Sequence, residues 1–204
     1  GHFRRYLCPS SKFKTNSSEL NMSSAPGMRR HDLAMPEEQA RLVLERGFSG
    51  WLSTLGQDGY PYGTPMLYIY AEGKIYLHST RAKGLLRQNI DHHSKVSFGI
   101  DEPDQVYAYG RFECDSSLAY QSVIAAGEIE VVEDVDFKQR FCEWLMSKYG
   151  KPDWGRPENF FPRLDQIAVY AITIHRLTGK QIVLPTQSQQ WPAFDRTKSP
   201  GARA

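Results

Sequence analysis

The sequence lacks the residues that announce most familiar chemistries. Its three cysteines, Cys8, Cys114 and Cys142, are odd in number and fall at no metal-ligand spacing. That pattern excludes a disulfide framework and reads as reduced thiols of a cytoplasmic protein. No apolar run approaches the roughly 20 residues that span a bilayer, so no membrane partner is expected. Charge of one sign is also missing. The chain carries 25 Lys and Arg against 23 Asp and Glu, a net charge of +2. Arg4, Arg5, Lys12 and Lys14 against Glu19 put +3 of this in the first 27 residues, leaving −1 for the rest. A nucleic-acid surface needs a basic domain, so nucleic acid is excluded as a partner. There is no P-loop, no G-x-G-x-x-G after a strand, no H-E-x-x-H and no Ser-His-Asp set. Chemistry without a resident nucleophile or metal is borrowed from an organic cofactor.

What is present favours strands. Aromatics make up 12% of the chain, with eleven Tyr and ten Phe, and aromatic side chains suit a pleated, half-buried surface. The 204 residues suffice for one domain with a real core. Residues 1–27 are Ser-, Asn- and Lys-rich without periodicity and read as a flexible leader. Residues 28–180 carry the patterned domain, and 181–204 an extended tail whose anchors are Trp191 and Phe194. A helix is expected over 36–46, with Pro36 at its start and Gly47 as its stop. Strands are expected over 51–55 and 62–70 around the Gln57-Asp58-Gly59 turn, then over 74–78 after Glu72-Gly73. Thr80 is positioned to cap a helix reaching about 90. Strands follow over 95–100, 106–112, 120–132 and 167–177. Asp134 caps a helix whose stripe, Phe137, Phe141, Leu145 and Tyr149, reads as core packing. Consecutive strands joined by tight turns are antiparallel, and so many with so few helices predict a mainly β, small closed or partly open barrel.

Three segments are chemically suggestive. Ser79, Thr80, Arg81 and Lys83 set hydroxyls and cations at a helix start, with Arg87 four residues beyond Lys83. A helix N-terminus offers free amides and partial positive charge, which suits a phosphate; the same residues also make an ordinary capped helix with solvated cations. In Gly63-Thr64-Pro65-Met66-Leu67-Tyr68, Pro65 cannot donate a ladder bond, which leaves backbone groups for the polar edge of a flat heterocycle or marks a plain strand start. His78 stands alone, with no second ligand at metal spacing, so no metal site is expected.

The segments Arg29-Arg30-His31-Asp32, Gly59-Tyr60-Pro61-Tyr62-Gly63-Thr64-Pro65, Ile75-Tyr76-Leu77-His78-Ser79 and Tyr120-Gln121-Ser122-Val123-Ile124-Ala125-Ala126-Gly127 resemble the pyridoxamine 5′-phosphate oxidase-like FMN-binding split-barrel proteins, nearest the nitroimidazole-resistance-type branch. The resemblance covers roughly 29–180. It implies a six-stranded antiparallel split β-barrel that forms a homodimer with FMN at the subunit interface. It places Thr64, Pro65, Met66 and Leu67 along the flavin ring, His78 and Ser79 beside the ribityl-phosphate, and Thr80, Arg81 and Lys83 on the phosphate. Ser122 would meet the ring from the later strand. The family's phosphate lysine usually stands nearer Leu86, which leaves Lys83 and Arg87 as alternatives for that charge. True pyridoxamine-phosphate oxidases carry arginine where Thr64 stands, and a C-terminal Arg-Leu-His-Asp-Arg-like motif that His175-Arg176-Leu177-Thr178-Gly179 is not. The implied activity is an FMN-dependent oxidoreductase taking electrons from NAD(P)H to a small acceptor. The alternatives are a non-catalytic holder of haem, flavin or deazaflavin, with His78 as axial ligand, and thirdly vitamin B6 oxidation.

Overall fold

The computed structural model describes residues 28–157 and 160–192. The expected leader, residues 1–27, and the tail from 193 onward, including Phe194, lie outside them. A two-residue strand β1 (Ala34–Met35) precedes helix α1 (Glu37–Arg46). Strands β2 (Gly50–Leu55) and β3 (Pro61–Met66) form one hairpin, and β4 (Ile69–Ala71) and β5 (Lys74–Thr80) a second. The second turn has φ of 52° at Glu72 and 75° at Gly73, the positive pair that a two-residue hairpin requires. Helix α2 (Leu85–His92), strands β6 (Lys95–Ala108) and β7 (Ser116–Val132), helix α3 (Val135–Tyr149) and strand β8 (Ile167–Ile182) follow.

All pairings are antiparallel, in the order β3-β2-β6-β7-β8-β5-β4, with β1 added to β8. The two edge strands of this path, β3 and β4, are consecutive in sequence. Only Leu67 and Tyr68 separate them. Three steps of about 3.8 Å hold Met66 and Ile69 within about 11 Å of each other, so the sheet must curl until its edges nearly meet. The result is a mainly β split barrel with flanking helices.

The expected strand over 62–70 is thus broken in two. The cause is Tyr68, which is fully buried, with its ring against Phe98 at 4.9 Å and its hydroxyl donating to the Leu44 carbonyl at 2.6 Å. Following its side chain inward, the backbone leaves the β2 ladder and joins β5. The expected strands over 95–100 and 106–112 merge instead into β6, whose register shifts between Pro103 and Val106, where proline cannot donate. Past Ala108 the chain turns, the Tyr109 amide donating to the Asp115 carbonyl at 2.9 Å. Strand β8 continues beyond 177 because β7 offers partners as far as Tyr120 opposite Ile182.

The barrel interior is filled by Leu44, Leu52, Ile75, Leu77, Phe98, Val123, Tyr170 and Ile172. Helix α3 covers the outside of β4, β5 and β8. Its Phe141 is buried with Ile69, Tyr76, Val169 and Ala171, flanked by Phe137, Leu145 and Tyr149. The Asp134 carboxylate accepts from the Phe137 amide at 2.6 Å, capping the helix as expected. Gly47 ends α1 at a φ of −57°, an ordinary value for any residue. It is glycine for space: a Cβ there would stand 2.5 Å from the Tyr68 hydroxyl.

A Cβ on Gly127, where β8 bulges at His175 against β7, would lie 2.1 Å from the Thr173 carbonyl oxygen. Gly127→Ala is therefore expected to lower unfolding free energy by about 1–3 kcal/mol in a urea titration. An unchanged midpoint would contradict the close approach of the two backbones.

Candidate functional site

Two surfaces carry the chemistry. The first is the outer face of β3, β2, β6 and β7. Burial alternates along β2, with Leu52 inside and Trp51, Ser53 and Leu55 outside. The register sets Pro65 opposite Trp51, Trp51 opposite Gly99, and Gly99 opposite Ile124, in one row across four strands. Trp51 is 54% exposed and Ile124 52%, and Leu67 and Leu55 are also exposed. Ser122 stands two residues along β7 from Ile124, in the next outward row between Asp101 and Lys180. Pro65 and Ser122, drawn from distant parts of the sequence, therefore share one outward surface, on which Trp51, Leu55 and Ile124 are the exposed apolar side chains.

Strand β3 bounds this surface and, among the described residues, pairs only with β2, so one side of its backbone has no ladder partner there. Thr64 and Met66 point the other way. Met66 packs on the core, and the Thr64 hydroxyl is buried with no hydrogen-bond partner among the described residues. Such an orphan is costly unless a ligand or water satisfies it.

The second surface is a cationic rim where β5 ends and α2 begins. The Ser79 hydroxyl lies 3.0 Å from the hydroxyl of buried Tyr170. The Arg87 Nε donates to Asp91 Oδ1 at 2.7 Å, and the Lys83 Nζ to Asp91 Oδ2 at 3.3 Å. Both candidate cations thus share one carboxylate, leaving a net charge of one. Their hydrogen bonds, that of Arg87 first, hold Asp91 below the usual carboxylate range. Arg87 is only 18% exposed and is drawn toward Tyr170, while Lys83 is 70% exposed. The rim is fixed to the first surface by a buried polar link. The Asn89 amide of α2 donates to the Thr54 hydroxyl at 3.1 Å, and Thr54 donates to the Tyr62 carbonyl of β3 at 3.4 Å.

The structure separates the other expected residues from this set. Thr80 does not cap a helix. It stays in β5 opposite Ile167, and the Arg81 amide extends the pairing to the Gln166 carbonyl, so α2 starts only after Gly84. Arg81 turns to the 3-10 turn Leu164–Gln166, donating to the Asp165 carbonyl at 3.2 Å, and lines a cavity of about 470 Å³ with Glu133, Lys138 and Phe161. Successive strand residues point to opposite faces. His78 therefore faces α3 rather than the rim, its ring 5.6 Å from that of Phe141. Its Nδ1 is buried without a partner among the described residues, and burial pushes its pKa below the ordinary value.

Trp51, Ile124, Tyr170, Asp91 and the Asn89–Thr54 link were not singled out from the sequence. Only Asp91 left a local signal, four residues after Arg87 on one helix face. Among the described residues no group of three or more His, Cys, Asp or Glu is placed to hold a metal, and no helix is long and apolar enough to cross a membrane.

The family model described as pyridoxamine 5′-phosphate oxidase matches residues 36–181. No curated protein matches the sequence. Among solved structures, a protein of Bacteroides thetaiotaomicron assigned to 5-nitroimidazole antibiotic resistance superimposes with a TM-score of 0.61 at 19% identity, covering 72% of this chain and 86% of its own. The flavocytochrome Anf3 of Azotobacter vinelandii gives 0.67 at 19% identity, covering 78% and 73%. The FAD and haem binding protein of Mycobacterium smegmatis gives 0.61 at 15% identity, covering 76% of both chains. At these identities the likeness is one of fold.

The His78 environment has a consequence in acid. Its folded-state pKa lies below the ordinary 6.5, so as pH falls through that value the unfolded chain binds a proton that the folded chain resists. Stability is therefore lost on acidification. In paired thermal melts at neutral and mildly acid pH, His78→Leu is expected to lose less stability than the wild type. Parallel losses would show that the buried imidazole is not responsible.

Proposed function

The chain belongs to the pyridoxamine 5′-phosphate oxidase family, and on that premise we propose that it is a homodimeric FMN-binding oxidoreductase carrying electrons from NAD(P)H to a small acceptor in the cytoplasm. One observation carries the reading. An outer face bearing Trp51 and Ile124, edged by a strand with one unpaired side among the described residues, is joined through Asn89 and Thr54 to a cationic rim. That pairing of surfaces suits a flat ring system tethered to a phosphate. A flavocytochrome and an FAD and haem binding protein among the structural neighbours support a flavin.

In this reading the free backbone edge of β3 meets the polar edge of the ring along Thr64, Pro65, Met66 and Leu67. Pro65, lacking an N–H, leaves only acceptor character at its own position. The Thr64 side chain points to the opposite face, so Thr64 meets the ring through its backbone alone. Ser122 approaches from β7 on the same face. Ser79, Arg87 and Lys83 hold the phosphate, with Arg87 as the principal cation because Asp91 pre-orients it and it is the less exposed of the two. Asp91 moderates the rim and gives up part of its hold on Arg87 and Lys83 when an anion arrives. When bound, FMN supplies the redox chemistry, accepting two electrons from the nicotinamide and passing them on. The protein contributes orientation, charge neutralisation and exclusion of water, and no side chain is assigned as a general acid.

A second subunit completes the site. Trp51, Leu55, Leu67 and Ile124 are large apolar side chains left exposed on or beside this face, and a self-complementary contact between two copies would cover them. Vitamin B6 oxidation has less support, since Thr64 provides no cation where that reaction's enzymes have one. Haem binding through His78 has one supporting observation, the unpartnered Nδ1, against its close packing on Phe141. A Soret band in haem-loaded protein that vanishes in His78→Ala would support it.

The proposal is tested by fluorescence titration with FMN and by NAD(P)H oxidation in the FMN-loaded protein. Quenching and turnover are expected, with a dimer in sedimentation. Arg87→Ala is expected to weaken FMN binding about tenfold or more and Lys83→Ala by less, as suits a pre-oriented and a solvated cation. No quenching by FMN would overturn the reading; equal effects of the two substitutions would overturn the assignment of Arg87.

A further inference from the structure

The residue pair Leu67–Tyr68, which carries the chain from β3 to β4, has its backbone polar groups satisfied by a different element altogether. The Tyr68 N–H donates to the Tyr149 hydroxyl at 3.2 Å. The same hydroxyl lies 2.7 Å from the Tyr68 carbonyl and 2.8 Å from the Phe48 carbonyl, its one hydrogen shared between them. The Lys148 Nζ donates to the Tyr68 carbonyl at 3.3 Å and sits 4.1 Å from the centre of the Tyr68 ring. Two consecutive residues at the end of α3 therefore hold both backbone polar groups of one residue in the crossover between β3 and β4. They also tie it to Phe48, just before β2.

Lys148 is an unusual choice for this place. Among the described residues no carboxylate lies within 4.0 Å of its Nζ. Burial holds its pKa down to about 8, with Glu45 of α1 opposing the shift from a distance. Burial also pushes the Tyr68 and Tyr149 hydroxyls up, so both stay protonated and available as donors. A packing residue at the end of a helix needs no desolvated ammonium. The cost of keeping one is offset by its hold on the carbonyl and the ring.

We propose that Lys148 and Tyr149 are positioning residues for the cofactor: by clamping the Tyr68 backbone they fix the C-terminal end of β3, and with it the backbone of Thr64 to Leu67, in the orientation that the flavin ring requires. This rests on the flavin reading above. Neither residue lies on the face assigned to the ring, so each acts through the strand. Strand β3 has a ladder on one side only, and its C-terminal end is anchored by the clamped peptide. Loosening the clamp leaves the barrel closed covalently and frees that end of the strand.

The test compares the full chain with Lys148→Met, Tyr149→Phe and Phe141→Leu, the last a core substitution on the same helix away from the crossover. Thermal midpoints, FMN dissociation constants and the band structure of the bound flavin's visible spectrum are read together. Lys148→Met and Tyr149→Phe are expected to weaken FMN binding about three- to tenfold, the scale of one lost hydrogen bond, and to blur the resolved shoulders of the flavin band. Phe141→Leu is expected to lose thermal stability while binding FMN within about twofold of the wild type. The inference is overturned if the two clamp variants bind FMN as the wild type does, or if Phe141→Leu weakens binding as much as they do. Either result leaves the flavin reading standing, whereas a wild-type protein that does not bind FMN removes both.

Discussion

The burial of Tyr68 is the constraint on which the rest of the molecule depends. Its side chain fills the barrel between Phe98 and the end of α1, and its hydroxyl satisfies a helix carbonyl. To reach that position the chain must abandon the β2 ladder after Met66 and begin a new ladder with β5 at Ile69. One residue thereby converts a long meander strand into the two edges of a split barrel. Three other features follow. Gly47 must lack a side chain, Tyr149 and Lys148 must supply the hydrogen bonds that the sheet no longer can, and β3 must be left with an unpaired flank.

That unpaired flank connects fold to function. A closed barrel has no free backbone edge, and an open sheet with an exposed apolar edge invites aggregation. Here the exposed backbone of β3 borders a face bearing Trp51, Pro65 and Ile124, and the hairpin it belongs to is bound through Thr54 to the helix that carries Arg87. In the proposed site, ring and phosphate contacts would thus be tied through one buried hydrogen-bond chain. A site built this way needs no nucleophile or metal, in keeping with the absence from the sequence of any motif for either.

Much of the fold was legible because it depends on local signals. The Glu72-Gly73 hairpin, the Asp134 cap and the Phe137 to Tyr149 stripe are all written within a few residues, and all are found. The break at Leu67–Tyr68 was not legible. Nothing local distinguishes Tyr68 from its neighbours, and its inward turn depends on Leu44 and Phe98. Thr80 failed as a cap for a similar reason: cap propensity is local, while the pull of Ile167 and Gln166 on the end of β5 is not. Of the site, the segment after β5 and the Pro65 strand were visible as composition. Strand pleating then divided neighbours that sequence had grouped, sending Ser79 to the rim and His78 to helix α3. The row from Pro65 through Trp51 and Gly99 to Ile124 is a matter of register, which a sequence read segment by segment does not contain.

The central claim is that the outer face of β3 and the rim after β5 form one flavin site. Amide hydrogen exchange of the full chain, with and without FMN, tests it most directly. Joint protection of peptides covering residues 63–67 and 79–88 is the predicted result. Protection confined to α3 and the loop near Phe161, with those two segments unchanged, would contradict it.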